Sequence, residues 1–266
     1  MNCFVFDIDG VIVNLYTKKP DPQILQKIAY FLSNNTPVSF VSGRSSLWVI
    51  KNVVQPIKEK LENPNSLDNL LILGEFGSAI SKYKDSKIIS AFDDTQALPF
   101  EFVNKASEIT KKYSDTVKID ETKQVEFSCE MKEGLDIEGD FGPVKKKLTK
   151  DYKKLISQFD MTDVLEVKED TIGINIKSRD CNKENAMKSL FSWISEKNLK
   201  IDKFYALGDS FSDLQMGQGL KKAEENFEFV FVGNEELPNP PPFPIHKTGE
   251  KFEKGTLEFL DISYIK

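Results

Sequence analysis

Two aspartates near the amino end of the chain are spaced so that they could act together. Asp7 and Asp9 follow the apolar run 4–6 and precede Gly10, a pattern that predicts a short buried strand of a parallel sheet. Side chains two residues apart on a strand point to the same side, and open α/β sheets bind ligands at the carboxyl ends of their strands. Two adjacent carboxylates repel each other unless a cation such as Mg²⁺ lies between them. The alternative is that both aspartates simply begin a solvated turn.

Further candidate residues stand at or near the ends of other predicted elements of the chain: Ser42, Gly43, Lys183, Asp209 and Asp213. Ser42 and Gly43 directly follow a second apolar strand, and Asp209 directly follows a later one. Lys183 stands in the first turn of a helix, where a cation opposes the macrodipole unless an anion binds there too. Each feature also has a structural explanation: a turn for Ser42, a helix cap for Asp213 and a solvated side chain for Lys183. Their shared position at strand ends and a helix start favours one joint phosphate and metal site.

The order of apolar segments indicates how the chain places these residues. Short apolar strands alternate with amphipathic helices over residues 1–80 and again over 179–266, which predicts a doubly wound parallel sheet. Residues 124–131 and 171–177 instead alternate apolar and polar side chains, as antiparallel strands with one solvated face do. We therefore predict a Rossmann-like α/β core interrupted by an inserted α+β domain at 81–178.

Composition narrows the possible functions. The chain of 266 residues is 39% hydrophobic and 29% charged, which is typical of a soluble globular protein. Its formal net charge of −6 argues against nucleic acid or an anionic membrane as the main partner, and no apolar run is long enough to span a bilayer. Three widely spaced cysteines and a first strand that leaves no room for a signal peptide predict a cytoplasmic location. His246 is the only histidine, which argues against sites built on histidine.

These ordered motifs resemble those of the haloacid dehalogenase (HAD) superfamily. Residues 7–11, Asp-Ile-Asp-Gly-Val, are similar to its first motif, although valine stands where threonine is usual. Val-Ser-Gly-Arg at 41–44 is similar to the second motif, Lys183 to the third, and Gly-Asp-Ser-Phe-Ser-Asp at 208–213 to the fourth. The inserted domain lies between the second and third motifs, where the superfamily's C2-type cap lies. The resemblance is to the subclass of sucrose-phosphate, mannosyl-phosphoglycerate, trehalose-phosphate and Cof-type phosphatases.

The resemblance implies a role for each candidate residue. Asp7 would be the nucleophile that forms an aspartyl phosphate, and Asp9 would be the general acid and base. The phosphoryl group would be bound by Ser42, Gly43 and Lys183, of which Lys183 would also keep Asp7 ionised. The implied cofactor is Mg²⁺, and its ligands would come from four residues: Asp7, Asp9 through its backbone carbonyl, Asp209 and Asp213.

The function implied by the resemblance is Mg²⁺-dependent hydrolysis of a small phosphorylated metabolite, with a sugar phosphate as the expected substrate. The cap would select the substrate and close over it. The fourth motif reads GDSxxD and departs from the GDDxTDE typical of trehalose-phosphate phosphatases, which disfavours trehalose phosphate. Two alternatives use the same residues: a phosphomutase similar to phosphomannomutases, and a module that binds a phosphometabolite without turnover.

Overall fold

The chain folds into two compact units, one inserted into the other. In the computed structural model, which describes residues 1–170 and 172–264, the first unit comprises Met1–Ala91 and Asn182–Lys266 and the second Phe92–Cys181. The prediction of an α/β core interrupted by an α+β insertion is confirmed. None of the helices in the described ranges is long and apolar enough to cross a membrane.

Strands and helices alternate along the first unit and bracket the second. The strands of the described residues are β1 (Asn2–Phe6), β2 (Val38–Val41), β3 (Leu70–Gly74), β4 (Ala79–Lys84), β5 (Lys87–Phe92), β6 (Val117–Ile119), β7 (Phe127–Met131), β8 (Leu165–Glu169), β9 (Gly173–Ser178), β10 (Lys203–Gly208), β11 (Phe227–Phe231) and β12 (Ile245–Lys247). The helices are α1 (Pro22–Ser33), α2 (Ser46–Val49), α3 (Gln55–Lys58), α4 (Phe100–Lys111), α5 (Gly142–Gln158), α6 (Lys183–Glu196), α7 (Leu214–Lys222) and α8 (Phe252–Tyr264). A π-helical turn, Ile50–Val54, joins α2 to α3.

The larger sheet has eight strands in the order β12-β11-β10-β1-β2-β3-β4-β5. Neighbouring strands from β12 to β3 are parallel, whereas β4 runs antiparallel to β3. β1 lies between β2 and β10, and Phe6 is in register with Phe40 and Leu207. The strand order reverses at β1, so the residues that follow β1, β2 and β10 meet at the topological switch point of the sheet.

Apolar side chains on the two faces of this sheet form separate clusters, which explains why its central strands are predominantly hydrophobic. Phe4 and Phe6 of β1 pack in one cluster with residues of α1 and α8, such as Ile28 and Leu260. Cys3 and Val5 face the other way, into a cluster with residues of α6 and α7. Burial on both faces is what the parallel, helix-covered arrangement requires.

Helix α6 is fixed at both its cap and its first turns. Asn182 caps it, and its Oδ1 accepts a hydrogen bond from the Asn185 N–H at 2.9 Å. The loop after β3 packs against the same end of the helix. Gly77 in that loop has a φ of +96°, and a Cβ at this position would lie 2.5 Å from the Cβ of Ala186. Only glycine allows this approach, which sets where α6 begins.

The second unit is a four-stranded sheet covered by two helices. Its strand order is β6-β7-β9-β8, and all the pairs are antiparallel, as the alternating sequence predicted. Thr171, at the start of the predicted strand 171–177, lies outside the described residues. Alternate residues of β7 and β9 form the apolar core with α4 and α5, and the hydroxyl of Tyr152 lies 2.6 Å from Thr110 Oγ1 inside that core.

The predicted domain boundary between residues 80 and 81 falls inside β4, a strand of the larger sheet. The strands β4 and β5 continue the core sheet beyond β3. The compact units divide between Ala91 and Phe92 and again between Cys181 and Asn182.

Replacing Gly77 by alanine should destabilise the first unit by about 2 kcal/mol or more, because the new Cβ adds backbone strain and a clash with Ala186. The matched control is Gly134→Ala. Gly134 also has a positive φ, of +84°, but has open space around it, so about 1 kcal/mol of strain is expected there. Urea unfolding followed by circular dichroism measures both, and the fluorescence of Trp48 and Trp193 follows the first unit separately. Equal losses in the two variants would show that the contact with α6 is not tight.

Candidate active site

A buried lysine joins two carboxylates at the centre of the site. The Nζ of Lys183 donates hydrogen bonds to Oδ1 of Asp7 and, at 2.5 Å, to Oδ1 of Asp213. All three side chains are buried. Burial by itself disfavours the ammonium ion, but the charges of Asp213 and Asp7 raise the pKa of Lys183 above its usual range. The lysine is therefore a fixed cation at this edge of the sheet.

The second oxygen of Asp213 organises the loop that follows β10. Its Oδ2 accepts hydrogen bonds from the N–H of Asp209, the N–H of Ser210 and the hydroxyl of Ser210, each at 2.9 Å. This is the capping box that the sequence suggested. Burial opposes ionisation of Asp213, but Lys183 and the two hydrogen bonds from Ser210 lower the pKa of Asp213. The capping hydrogen bonds use Oδ2 of Asp213, and the contact with Lys183 uses Oδ1. Asp213 can therefore serve both as a helix cap and as a member of the charged site.

Three carboxylates form an acidic cluster around the lysine. Ligand oxygens of Asp7, Asp209 and Asp213 lie within 4.8 Å of one another. Burial, followed by the charges of Asp213 and Asp7, raises the pKa of Asp209 to about 9. Burial likewise raises the pKa of Asp7 to about 7, although Lys183 opposes the shift. Three carboxylates against one ammonium ion leave a surplus of negative charge.

This cluster fits a hard divalent cation. Closely spaced carboxylate oxygens are the ligands that Mg²⁺ takes, and the surplus charge favours binding one. The approach of Asp209 to the first strand depends on Gly10, because a Cβ there would lie 2.3 Å from Oδ2 of Asp209. Gly10 is therefore part of the predicted motif for a steric reason.

Asp9 lies in a different environment from Asp7. The guanidinium of Arg44 donates two hydrogen bonds to it, from Nε to Oδ2 at 2.9 Å and from Nη2 to Oδ1 at 3.0 Å. The Nζ of Lys18 lies 3.7 Å from Oδ1. Burial of Asp9 raises its pKa, but the hydrogen bonds and charge of Arg44 outweigh burial, so the net shift is downward.

Arg44 and Lys18 were not predicted as site residues. Arg44 follows Ser42 by two positions at the end of β2, the strand next to β1, and that placement was the available signal. Arg44 also lies 4.8 Å from the centre of the Trp48 ring, measured from its Cζ, a distance at which stacking helps to orient the guanidinium. Lys18 has a φ of +55° in a tight turn, and no local sequence pattern indicated its position.

Ser42 and Gly43 connect the site to the loop after β3. Ser42 is buried, and its Oγ accepts a hydrogen bond from the N–H of Arg44 at 3.1 Å. Its carbonyl accepts the N–H of Phe76 at 2.9 Å. A Cβ at Gly43 would lie 2.7 Å from the Phe76 ring, so packing alone accounts for glycine there. Phosphate binding by Ser42 and Gly43 stays a prediction.

The chain matches a known family of enzymes over most of its length. The sequence profile described as haloacid dehalogenase-like hydrolase matches residues 4–223. The chain belongs to the haloacid dehalogenase-like hydrolases. The resemblance drawn from the sequence is thereby confirmed, and so is the prediction of an enzyme of the hydrolase class. No curated protein sequence matches this hydrolase.

Solved structures share the fold of this HAD-like hydrolase. The C-terminal domain of trehalose-6-phosphate phosphatase from C. albicans matches with a TM-score of 0.70 at 16% identity, over 98% of this chain and 91% of that one. A haloacid dehalogenase-like hydrolase from Bacteroides thetaiotaomicron gives 0.64 at 13% identity, over 98% and 99%. Sucrose-phosphatase from Synechocystis, in complex with sucrose and phosphate, gives 0.53 at 16% identity, over 98% and 96%. At these identities the likeness is one of fold.

Replacing Arg44 by glutamine in this hydrolase should raise the pKa of Asp9, because the charge and hydrogen bonds that lower it are lost. A carboxyl group with a lowered folded-state pKa stabilises the protein above its unfolded-state value of about 3.9, and loses that contribution as pH falls through the folded-state pKa. The variant should therefore be less stable than the wild type near neutral pH, and the difference should shrink in acid. A ¹³C NMR titration of Asp9 and urea unfolding between pH 3 and 7 measure the two effects. An unchanged Asp9 pKa would contradict this.

Proposed function

We propose that the chain is a Mg²⁺-dependent phosphomonoesterase that hydrolyses a small sugar phosphate through an aspartyl phosphate. One observation carries the proposal. The buried carboxylate of Asp7 is bound to Lys183 inside the acidic cluster, while Asp9, two residues away, is bound separately by Arg44. Two neighbouring carboxylates in different environments suit two different roles.

Asp7 is suited to nucleophilic attack because it is buried, fixed and paired with a cation. In the first step a carboxylate oxygen of Asp7 would bond to phosphorus, and the bond from phosphorus to the leaving oxygen would break. A proton from Asp9 would neutralise the leaving alkoxide. Burial raises the pKa of Asp7 and Lys183 opposes that shift, with a net value of about 7, so Lys183 would favour the ionised form that attacks phosphorus.

Asp9 would act as the base in the second step. It would take a proton from water as the water oxygen bonds to phosphorus, and the bond from phosphorus to Asp7 would break. Arg44 lowers the pKa of Asp9, which favours the ionised carboxylate that a general base needs before it accepts a proton. To serve as the acid in the first step, Asp9 would gain its proton when the phosphate enters, since a nearby negative charge raises the pKa of a carboxyl group.

The residues that would bind Mg²⁺ are Asp7, Asp209, Asp213 and the backbone carbonyl of Asp9. When bound, the ion would offset the repulsion between Asp7 and the phosphoryl oxygens. The chain itself supplies the fixed geometry, since Lys183 holds Asp7 and Asp213 together and Gly10 admits Asp209.

One face of the four-stranded sheet carries buried polar and charged side chains. Alternation places Phe127, Cys129, Ile174 and Ile176 against the helices, so the intervening residues of β7 and β9 lie on the opposite face. There Ser128 is in register with Asn175, and Lys177 with Glu166; the Nζ of Lys177 lies 2.8 Å from Oε1 of Glu166.

We assign substrate selection to the inserted unit because it lies where the superfamily's C2-type cap lies. The names of two similar structures, trehalose-6-phosphate phosphatase and sucrose-phosphatase, support a sugar phosphate as the substrate class. We expect the enzyme to act in the cytoplasm.

Asp7→Asn should abolish turnover, because an amide oxygen cannot form the acyl phosphate. A loss of about three orders of magnitude or more is expected in phosphate release from a panel of sugar phosphates with Mg²⁺. The matched control is Asp163→Asn, which changes an exposed carboxylate. Chelation of Mg²⁺ should abolish phosphate release by the wild type, and added Mg²⁺ should restore that activity. Full activity in Asp7→Asn, or turnover without a metal ion, would overturn the proposal.

Asp9→Asn should separate the two carboxylate roles. The variant keeps the nucleophile but loses the acid, so phosphoryl transfer from an alkyl phosphate should slow by about 10²–10⁴. An aryl phosphate should lose much less, because phenolate leaves without a proton. The phenolate burst from p-nitrophenyl phosphate, followed by rapid mixing, isolates this step from the later attack by water. Equal losses for alkyl and aryl substrates would remove Asp9 from the role of leaving-group acid.

A further inference from the structure

The strand β5 forms an edge of the larger sheet and is exposed along its whole length. It follows β4 at the end of the strand order, and all six of its residues, Lys87–Phe92, are exposed. Three of them are large and apolar: Ile88 at 42%, Ile89 at 44% and Phe92 at 48% exposed. Natural sheets usually shield such an edge with charged residues, a bulge or a covering element, because it can pair with another strand.

The charges around β5 are segregated to its ends. Lys87 begins the strand, and Asp93 follows its last residue; both are exposed. In an antiparallel pair the start of one strand lies beside the end of the other. A second copy of the same strand would therefore meet each lysine with an aspartate, whereas a parallel copy would set like charges side by side.

We propose that two copies of this chain associate through their β5 strands, antiparallel and about a two-fold axis, to form one continuous sheet. With Ser90 opposite Ser90 of the partner, Ile88 lies opposite the partner's Phe92 on one face of the sheet. On the other face Ile89 lies opposite Ala91, and Lys87 opposite Asp93. This register satisfies the apolar and the charged pairs together. A shift by one residue sets Lys87 opposite Phe92 in one direction and opposite Asp94 in the other. In both, the residues brought opposite each other point to different faces of the sheet, so neither register forms a regular two-fold pair.

The dimer is expected to be weak. Main-chain hydrogen bonds along a six-residue strand and a few apolar side chains bury less surface than the roughly 800 Å² per partner typical of stable complexes. Association should therefore depend on concentration. Sedimentation velocity from about 1 µM to about 500 µM covers the range in which such complexes dissociate. A rise in the weight-average sedimentation coefficient towards that of a dimer is expected.

A substitution on the strand tests whether β5 is the interface. Ile89→Asp should raise the dissociation constant about tenfold or more, because it puts a charge in the centre of the pair. The matched control is Val164→Asp, at an aliphatic residue of similar exposure, 52%, and it should associate as the wild type does. Circular dichroism checks the fold of each variant. Equal association in both variants, or a wild type that stays monomeric throughout, overturns the proposal.

Charge reversal tests the register. Lys87→Glu alone and Asp93→Lys alone should each weaken self-association, because every homodimer then sets like charges opposite each other. An equimolar mixture of the two variants should recover it, since both charge pairs of the mixed dimer again join an acidic side chain to a lysine. In one pair the two substituted side chains meet, and in the other the two native ones meet. Recovery in the mixture supports the Ser90-centred register. Failure of the mixture to associate more tightly than either variant alone overturns it.

Discussion

The site depends on one buried cation. Lys183 is nearly inaccessible, and a lysine in that position is tolerated only because two carboxylates compensate it. Its partners lie 176 and 30 residues away in the sequence, so a single ammonium group joins the end of β1, the start of α6 and the turn before α7. The cap at Asn182 and the glycine contact at Ala186 fix the first turn of α6 from which this lysine extends. Removing the charge would leave neighbouring buried carboxylates to repel each other.

The same lysine also sets the charge balance that a metal ion would complete. It offsets only part of the charge of the acidic cluster, and burial together with the remaining charge of Asp213 and Asp7 raises the pKa of Asp209 to about 9. Asp9, on the same strand end, shows the opposite shift because Arg44 supplies two hydrogen bonds as well as a positive charge. Asp7 and Asp9 are two residues apart, yet burial sets the direction of the pKa shift of Asp7, and the ion pair with Arg44 sets that of Asp9. That difference gives the two aspartates distinct chemistry.

The sequence predicted most of the framework that positions this site. The apolar runs of the parallel strands require burial on both faces, and alternation in the inserted unit requires one apolar face, so both patterns specify their sheets locally. Asn182 is a cap residue whose side chain accepts a hydrogen bond from the first turn of its own helix, and a local rule suffices for it. The acidic cluster followed from the positions of Asp7 after β1 and of Asp209 and Asp213 after β10. The period of β1 predicted that Asp9 would join Asp7, but the Asp9 carboxylate binds Arg44 instead.

By itself, then, the sequence indicated the fold class, the insertion and the candidate residues Asp7, Lys183, Asp209 and Asp213, because strand period, helix period and helix caps are local signals. Only the tertiary structure decided that Asp9 pairs with Arg44 and Lys18 and stands outside the acidic cluster, since that contact joins the ends of two strands. It likewise decided that β4 and β5 extend the core sheet and leave an exposed edge. The physical reason is that pairing between strands and between charges depends on which distant segments the fold brings together, and no local pattern encodes that.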